Sequence, residues 1–181
     1  MGSDTIRGMA DRSSSDTKRR SPGGRGLSSA AWLLSQVGAH AAARFAERLS
    51  AIDLTPPLAG ILRVIALSGG LSQRELASRL DIPPSRLVSF MDELERRGLV
   101  ERRNNLEDRR TYALHLTEPG RKVLEAIGRV ARDHEDALCA ALTGEERETL
   151  ASLLRRIADQ QGLTAGVHPD FQRLGRTPAG S

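Results

Sequence analysis

Residues 72–100 read SQRELASRLDIPPSRLVSFMDELERRGLV, and they predict two short helices joined by a tight turn. Ser72 and Glu75 have the spacing of a capping box at the start of the first helix. The apolar residues that follow recur at the interval of one helix face. Asp81-Ile82 predicts the turn, and Pro83-Pro84 predicts the start of the second helix, because proline is favoured in a first turn.

Beyond Gly98 the chain changes from the apolar period of a helix to that of a strand. Leu99–Arg103 and Thr111–Leu116 predict two strands, and the polar, highly charged residues 104–110 predict a hairpin with a basic tip. Two short helices followed by such a hairpin are typical of a winged helix-turn-helix. In that fold one helix enters the major groove of DNA, and an arginine of the hairpin can reach the minor groove.

Longer amphipathic helices are predicted on both sides of this motif. Residues 27–52 form the first, and residues 117–161 form the last two, which a second capping box at Thr143 and Glu146 separates. A shorter helix begins at Thr55-Pro56-Pro57, with Thr55 as its predicted cap. The apolar faces of the outer helices exceed what a small domain can cover, which predicts a homodimer interface.

Both ends of the chain lack the apolar periodicity of a folded segment. Residues 1–26 and 162–181 are predicted to be disordered tails, because they cannot bury enough apolar surface to offset the entropy of ordering. The tails also hold the net charge of +4, with six basic residues against three acidic ones in the first and two against one in the second. The core is therefore near neutral, and a nucleic-acid site must depend on where its arginines lie.

Composition excludes several classes of protein. Aromatic residues make up 3% of the chain, too few for the stacking platforms that bind single-stranded nucleic acid. Cys139 is the single cysteine, so neither an internal disulfide nor a structural zinc site is expected. No apolar run approaches the roughly 20 residues of a membrane span, and the N-terminus has no apolar stretch typical of a secretory signal. We therefore expect a cytoplasmic protein without a cofactor.

Four stretches, in this order, resemble the MarR family of bacterial regulators. They are Gln73–Ala77, Val88–Val100, Asp108–Arg110 and Leu116–Arg121, and the resemblance extends over roughly Leu27–Gln161. It implies a mainly α fold with a small β-hairpin wing, in which residues 55–116 form a DNA-binding lobe and the flanking helices form a homodimer. It further implies a regulator, not an enzyme, that binds a palindromic operator in double-stranded DNA. The mechanism that the resemblance implies is repression relieved by a small ligand, such as an aromatic anion.

Three features depart from the family pattern. Asp81 stands in the turn where the family usually has glycine, although aspartate tolerates the left-handed backbone better than most residues. Leu106 stands where the family wing usually has proline, which predicts a looser wing tip or an apolar contact there. Pro83-Pro84 removes two backbone N–H groups that could bind phosphate, so affinity is expected to depend more on arginine side chains.

The candidate DNA-binding residues lie on the two short helices and on the hairpin. They are Ser72, Gln73, Ser85, Arg86 and Ser89 on the helices, and Arg102, Arg103, Asp108, Arg109 and Arg110 on the hairpin. By the resemblance, Arg110 enters the minor groove and Asp108 braces it through a salt bridge. The alternatives are a helix cap at Ser72, a surface ion pair at Asp108 and ordinary solvated side chains elsewhere.

A second candidate site is an effector pocket between the first long helix and the winged lobe. Trp32, His40, Arg44 and Arg63 are its candidate residues, since arginine or histidine could meet a carboxylate. The alternative is that Trp32 packs in the dimer interface and that the others are surface residues. Cys139 is interpreted as a small buried hydrophobe rather than a redox sensor.

Two other classes of function remain as alternatives. A winged helix can serve as a protein-interaction module without reading bases, but such a module does not need Arg109 and Arg110 at a hairpin tip. An enzyme would need a pocket with converging ionisable groups, and the four histidines of the chain lack a metal-ligand spacing such as His-Glu-x-x-His.

Overall fold

A computed structural model of the protein describes residues 29–104, 112–164 and 168. The predicted tail 1–26, with Leu27 and Ser28, lies outside these residues, as does most of the C-terminal tail. Within the described residues the elements, in chain order, are α1 (Ala30–Ser50), α2 (Pro56–Ser68), α3 (Gln73–Leu80), α4 (Pro84–Arg96), β1 (Val100–Asn104), β2 (Tyr112–Leu116), α5 (Glu118–Leu138) and α6 (Gly144–Gln160).

The chain divides into two compact units, Met1–Gly38 and Ala39–Ser181. The described part of the first unit is the N-terminal part of α1, on which Trp32, Leu33, Leu34 and Val37 are exposed. The second unit contains the rest of α1 and all the other elements.

The core of the second unit lies among α2, α3, α4 and the hairpin. Each of the three helices contributes the apolar face that its sequence period predicts, and the fully buried side chains include Ile61, Leu62, Leu76, Leu80, Leu87, Met91 and Leu94. Leu49 near the end of α1 and Leu114 of β2 complete this core. The two helices of the predicted helix-turn-helix are therefore fixed to one another and to the hairpin by apolar packing.

The helix-turn-helix itself forms as its local residues predict. Ser72 Oγ accepts the N–H of Glu75 at 3.3 Å, and the N–H of Ser72 donates to Glu75 Oε2 at 2.8 Å, which completes the capping box. Asp81 adopts the left-handed conformation with φ 53° and ψ 46°. The expectation that aspartate can replace glycine in this turn is confirmed.

The hairpin is antiparallel, with Val100 opposite Leu116 and Asn104 opposite Tyr112. The N–H of Leu114 in β2 donates to the carbonyl oxygen of Leu71 at 2.8 Å. This hydrogen bond ties the segment that precedes α3 to the outer side of β2, so the hairpin is anchored to the helix-turn-helix through the backbone.

Some predicted boundaries and contacts differ from the structure. Helix α5 ends at Leu138 rather than near Leu142, whose N–H instead donates to the carbonyl oxygen of Cys139 at 3.0 Å. Thr55 is the N-cap residue of α2, as predicted, but its side chain makes no capping hydrogen bond.

Helix α6 differs from the central helices because none of its residues is buried. Its apolar side chains are exposed at Leu150, Leu153, Leu154 and Ile157. No helix within residues 29–104 and 112–164 is both long and apolar enough to cross a membrane.

Candidate nucleic-acid interface

Helix α4 presents a polar face that the core does not cover. Its buried residues are Leu87, Met91 and Leu94, and its exposed residues include Ser85, Arg86, Val88, Ser89 and Asp92. The first turn of α4 contains no acidic residue. The N-terminal end of a helix carries a partial positive charge, and in α4 no carboxylate in the first turn neutralises it. An anion near Ser85 and Arg86 would therefore be stabilised.

At the start of α3, Ser72 is both a predicted DNA-binding residue and the residue that caps the helix. The Ser72 hydroxyl donates to Glu75 Oε2 at 2.7 Å as well as accepting the N–H of Glu75. These hydrogen bonds from Ser72 lower the pKa of the Glu75 carboxyl, so Glu75 stays ionised. A carboxylate at this point repels phosphate, while Gln73, half-exposed at the first helical position, has an uncharged side chain.

The two arginines of β1 are paired with acidic residues. Arg102 Nε lies 2.5 Å from Glu95 Oε1 of α4, and Arg103 Nε donates to Glu101 Oε1 at 2.9 Å. Both side chains remain exposed enough to be screened by solvent. A phosphate must therefore compete with a carboxylate at each of these arginines, and Arg102 also braces the hairpin against the last turn of α4.

The predicted tip of the wing lies outside the described residues, which stop at Asn104 and resume at Tyr112. Asp108, Arg109 and Arg110 all belong to this segment. Their assignment to the minor groove stays a prediction.

Three basic residues of α1, His40, Arg44 and Arg48, recur at intervals of four and so share one helix face. His134 of α5 lies against the same helix, with its ring 5.3 Å from that of Phe45. The pKa of His134 is lowered, mainly by burial and to a smaller extent by the nearby Arg48, Arg44 and His40. We call the guanidinium groups of Arg44 and Arg48, with the neighbouring rings of His40 and His134, the cationic cluster.

Sequence reasoning found only half of the cationic cluster. It selected His40 and Arg44 but missed His134 and Arg48, whose Nε is buried with no hydrogen-bond partner among the described residues. The four-residue spacing along α1 was the signal that could have identified Arg48. Arg44 is itself paired with Glu47 at 2.6 Å, and Arg63 is exposed on α2.

The described part of the chain can also be compared with the requirements of a metal site and of a ligand pocket. No three histidine, cysteine, aspartate or glutamate residues there are grouped so as to hold a metal ion. A shallow surface concavity lies beside α3 and is lined by Leu71, Glu75, Ser78, Arg79, Asp81 and Thr164, none of which is a predicted effector residue.

The family model described as the MarR family matches residues 52–111, which include both helices of the motif and most of the wing. A proposed transcriptional regulatory protein for the hcr operon of Thauera aromatica is 38% identical over 122 residues, which cover 67% of this chain and 74% of that protein. This chain belongs to the MarR family. The family is one of transcriptional regulators rather than enzymes.

Solved structures agree with this assignment. The repressor CouR bound to a 23-mer DNA duplex is 31% identical with a TM-score of 0.63, and the match covers 72% of this chain and 92% of CouR. A MarR variant from E. coli complexed with operator DNA is 28% identical with a TM-score of 0.59, covering 69% and 90% of the two chains. The prediction of a mainly α, winged helix-turn-helix fold is confirmed, and the chain is a MarR-family transcriptional regulator.

Proposed function

We propose that this MarR-family regulator is a dimeric repressor that inserts α4 into the major groove of a palindromic double-stranded operator. It acts in the cytoplasm, and a small organic anion releases it from DNA. The observation that carries the proposal is the exposed polar face of α4, held in place by a fully apolar core on its opposite side. The two solved relatives bound to DNA support the same role for this helix-turn-helix.

The chemistry of the α4 face suits contact with DNA. Arg86 can donate two hydrogen bonds to guanine or bind a phosphate, and the hydroxyls of Ser85 and Ser89 can donate to or accept from base edges. Pro83 caps the helix and Pro84 occupies its first position, so neither supplies an N–H group to a phosphate. Arg86 therefore carries the strongest electrostatic contact that the first turns of α4 can make.

The dimer follows from apolar surface that each unit leaves exposed. Trp32, Leu33, Leu34 and Val37 are exposed in the first unit. In the second unit the apolar face of α6 is exposed along the whole helix. Apolar helix faces left exposed to this extent mark an interface, and a second copy of the chain is the partner that a palindromic operator requires.

The cationic cluster supports the ligand part of the proposal. A carboxylate there would accept hydrogen bonds from the guanidinium of Arg48, whose buried Nε has no partner within the described chain. The ring of Phe45 against His134 adds an aromatic surface beside these charges. A small aromatic acid fits both features.

Arg86→Ala tests the DNA-binding part most simply. Fluorescence anisotropy with duplex DNA from upstream of the gene should show a loss of affinity of about 5- to 150-fold, as for one good DNA contact. Arg129→Ala is the matched control, because Arg129 is an exposed arginine of α5, outside the helix-turn-helix. Equal affinities for the wild type and Arg86→Ala would contradict the proposal, and absence of any duplex binding would favour a protein-interaction module instead.

A further inference from the structure

We propose that Val88 reads the C5-methyl group of thymine in the major groove. The inference rests on the proposed function, since it assumes that α4 contacts base edges. It assigns to Val88 a part in sequence specificity rather than in overall affinity.

Val88 occupies an unusual position for an aliphatic side chain. It is 42% exposed and lies three residues after Ser85 on the polar face of α4, beside Ser89. The apolar packing of α4 against the core uses Leu87 and Met91 instead. A single exposed aliphatic residue needs no explanation on an ordinary surface, but here it stands within the row of side chains that would face the bases.

The residue types present in α4 indicate which base Val88 would contact. Thymine alone carries a methyl group in the major groove, and adenine is recognised by asparagine or glutamine through paired hydrogen bonds. Residues 84–96 contain neither asparagine nor glutamine. The hydroxyls of Ser85 and Ser89 can hydrogen-bond to either kind of base pair and so do not discriminate between them, whereas Arg86 favours guanine. Contact between Val88 and a thymine methyl is therefore a means by which α4 can select an A·T pair without asparagine or glutamine.

The valine side chain suits such a contact. Branching at Cβ restricts valine in a helix to essentially one rotamer, so little side-chain entropy is lost when its methyl groups meet another surface. The contact removes two apolar surfaces from water, which is favourable without any hydrogen bond. It also adds discrimination without competing with Arg86 for phosphate.

The test replaces thymine by deoxyuridine, which removes the methyl group and leaves base pairing unchanged. The probe is a duplex that the wild-type protein selects from a random library, with each thymine replaced in turn and affinities measured by anisotropy. For the wild type, replacing the contacted thymine in one half-site should raise Kd by about fourfold, the factor for one methyl-sized group leaving contact, and replacing it in both half-sites should raise Kd by about 15-fold. Val88→Ala, which removes the γ-methyl groups from both subunits, should bind the thymine probe more weakly and should lose less affinity with deoxyuridine than the wild type does.

Leu67→Ala is the matched control, because Leu67 is a 75% exposed aliphatic residue of α2 that lies off α4. It should keep the wild-type response to deoxyuridine. The inference is overturned if Val88→Ala keeps that response, or if no deoxyuridine replacement changes the wild-type Kd. Failure of the wild type to select any duplex over random DNA would overturn the proposed function and this inference together, whereas the first two results leave the proposed function intact.

Discussion

Gly120, in the first turn of α5, packs directly against the carbonyl oxygen of Leu99, and any Cβ at position 120 would overlap that oxygen. The same oxygen accepts the N–H of Thr117 at 3.1 Å, while the Thr117 hydroxyl donates to the carbonyl oxygen of Gly98 at 2.6 Å. These contacts join the start of α5 to the base of the wing. The segment from Thr117 to Gly120 is therefore a fixed junction between the lobe that carries α4 and the long helix α5.

Gly120→Ala should lower the free energy of unfolding by about 1–3 kcal/mol, because the new methyl group must push α5 away from backbone atoms that cannot yield. Urea denaturation measures the change. Gly128→Ala on the same helix is the control, since its Cβ would meet only Arg132 Nη1 at 3.5 Å. That variant should gain stability by up to about 1 kcal/mol from helix propensity. Equal stability of the two variants would contradict the close approach at Leu99.

The capping box of α3 makes a pH-dependent contribution to stability. Ser72→Ala should cost about 1 kcal/mol at neutral pH through loss of the cap. The hydrogen bonds from Ser72 lower the pKa of Glu75 below its ordinary value of 4.5 in the folded state. Their contribution is therefore present above pH 4.5 and is lost as the pH falls through the lowered value.

Urea denaturation of the wild type, Ser72→Ala and Glu75→Gln between neutral and acid pH separates these effects. Glutamine can keep the capping hydrogen bond but does not titrate in this range. Both variants should therefore lose less stability than the wild type on acidification. A wild-type acid slope retained in Glu75→Gln would show that other groups cause it.

His134 should make the protein less stable in mild acid. Its pKa is lowered from the ordinary 6.5 by burial and by Arg48, Arg44 and His40. The unfolded chain therefore takes up this proton at a higher pH than the folded chain does, and stability falls as the pH drops below 6.5 towards the lowered value. His134→Phe keeps an aromatic ring against Phe45 without the titration. The loss of stability between about pH 7.5 and 5.5 should be smaller in this variant, and an equal loss would contradict the assignment.

Arg48→Gln should separate ligand response from DNA binding. Benzoate and 4-hydroxybenzoate, as probes of a small aromatic acid, should release the wild-type protein from DNA. The variant should bind DNA with unchanged affinity but need at least about fivefold more ligand for release, because a charge-assisted hydrogen bond is lost. Arg129→Ala serves again as an exposed-arginine control. If Arg48→Gln responds to these acids as the wild type does, they do not bind at the cationic cluster.

Local rules predicted much of the fold from the sequence. The capping boxes at Ser72 and Thr143 and the turn at Asp81 depend on residues within a few positions of each other, and each forms as predicted. The exposed face of α4 follows from helix periodicity alone. Thr55 is the N-cap residue of α2 as predicted, but its residue type did not predict that its side chain would make no capping hydrogen bond.

Contacts between distant segments could not be predicted in this way. The ion pair between Arg102 and Glu95 and the hydrogen bond between Leu114 and Leu71 depend on how the hairpin meets the helices. The buried Nε of Arg48 likewise depends on the packing of neighbouring helices around α1. Periodicity predicts which face of an element is covered, but it does not specify which polar groups meet there.

The central claim, that two copies of α4 read one palindromic site, is tested most directly by changing the spacing of the half-sites. Recognition helices of such a dimer fit half-sites about one DNA turn apart, so inserting roughly five base pairs at the centre of the selected duplex moves one half-site to the opposite face of the DNA. Wild-type affinity, measured by anisotropy, should then fall to that for random DNA. Affinity unchanged by the insertion would contradict the account.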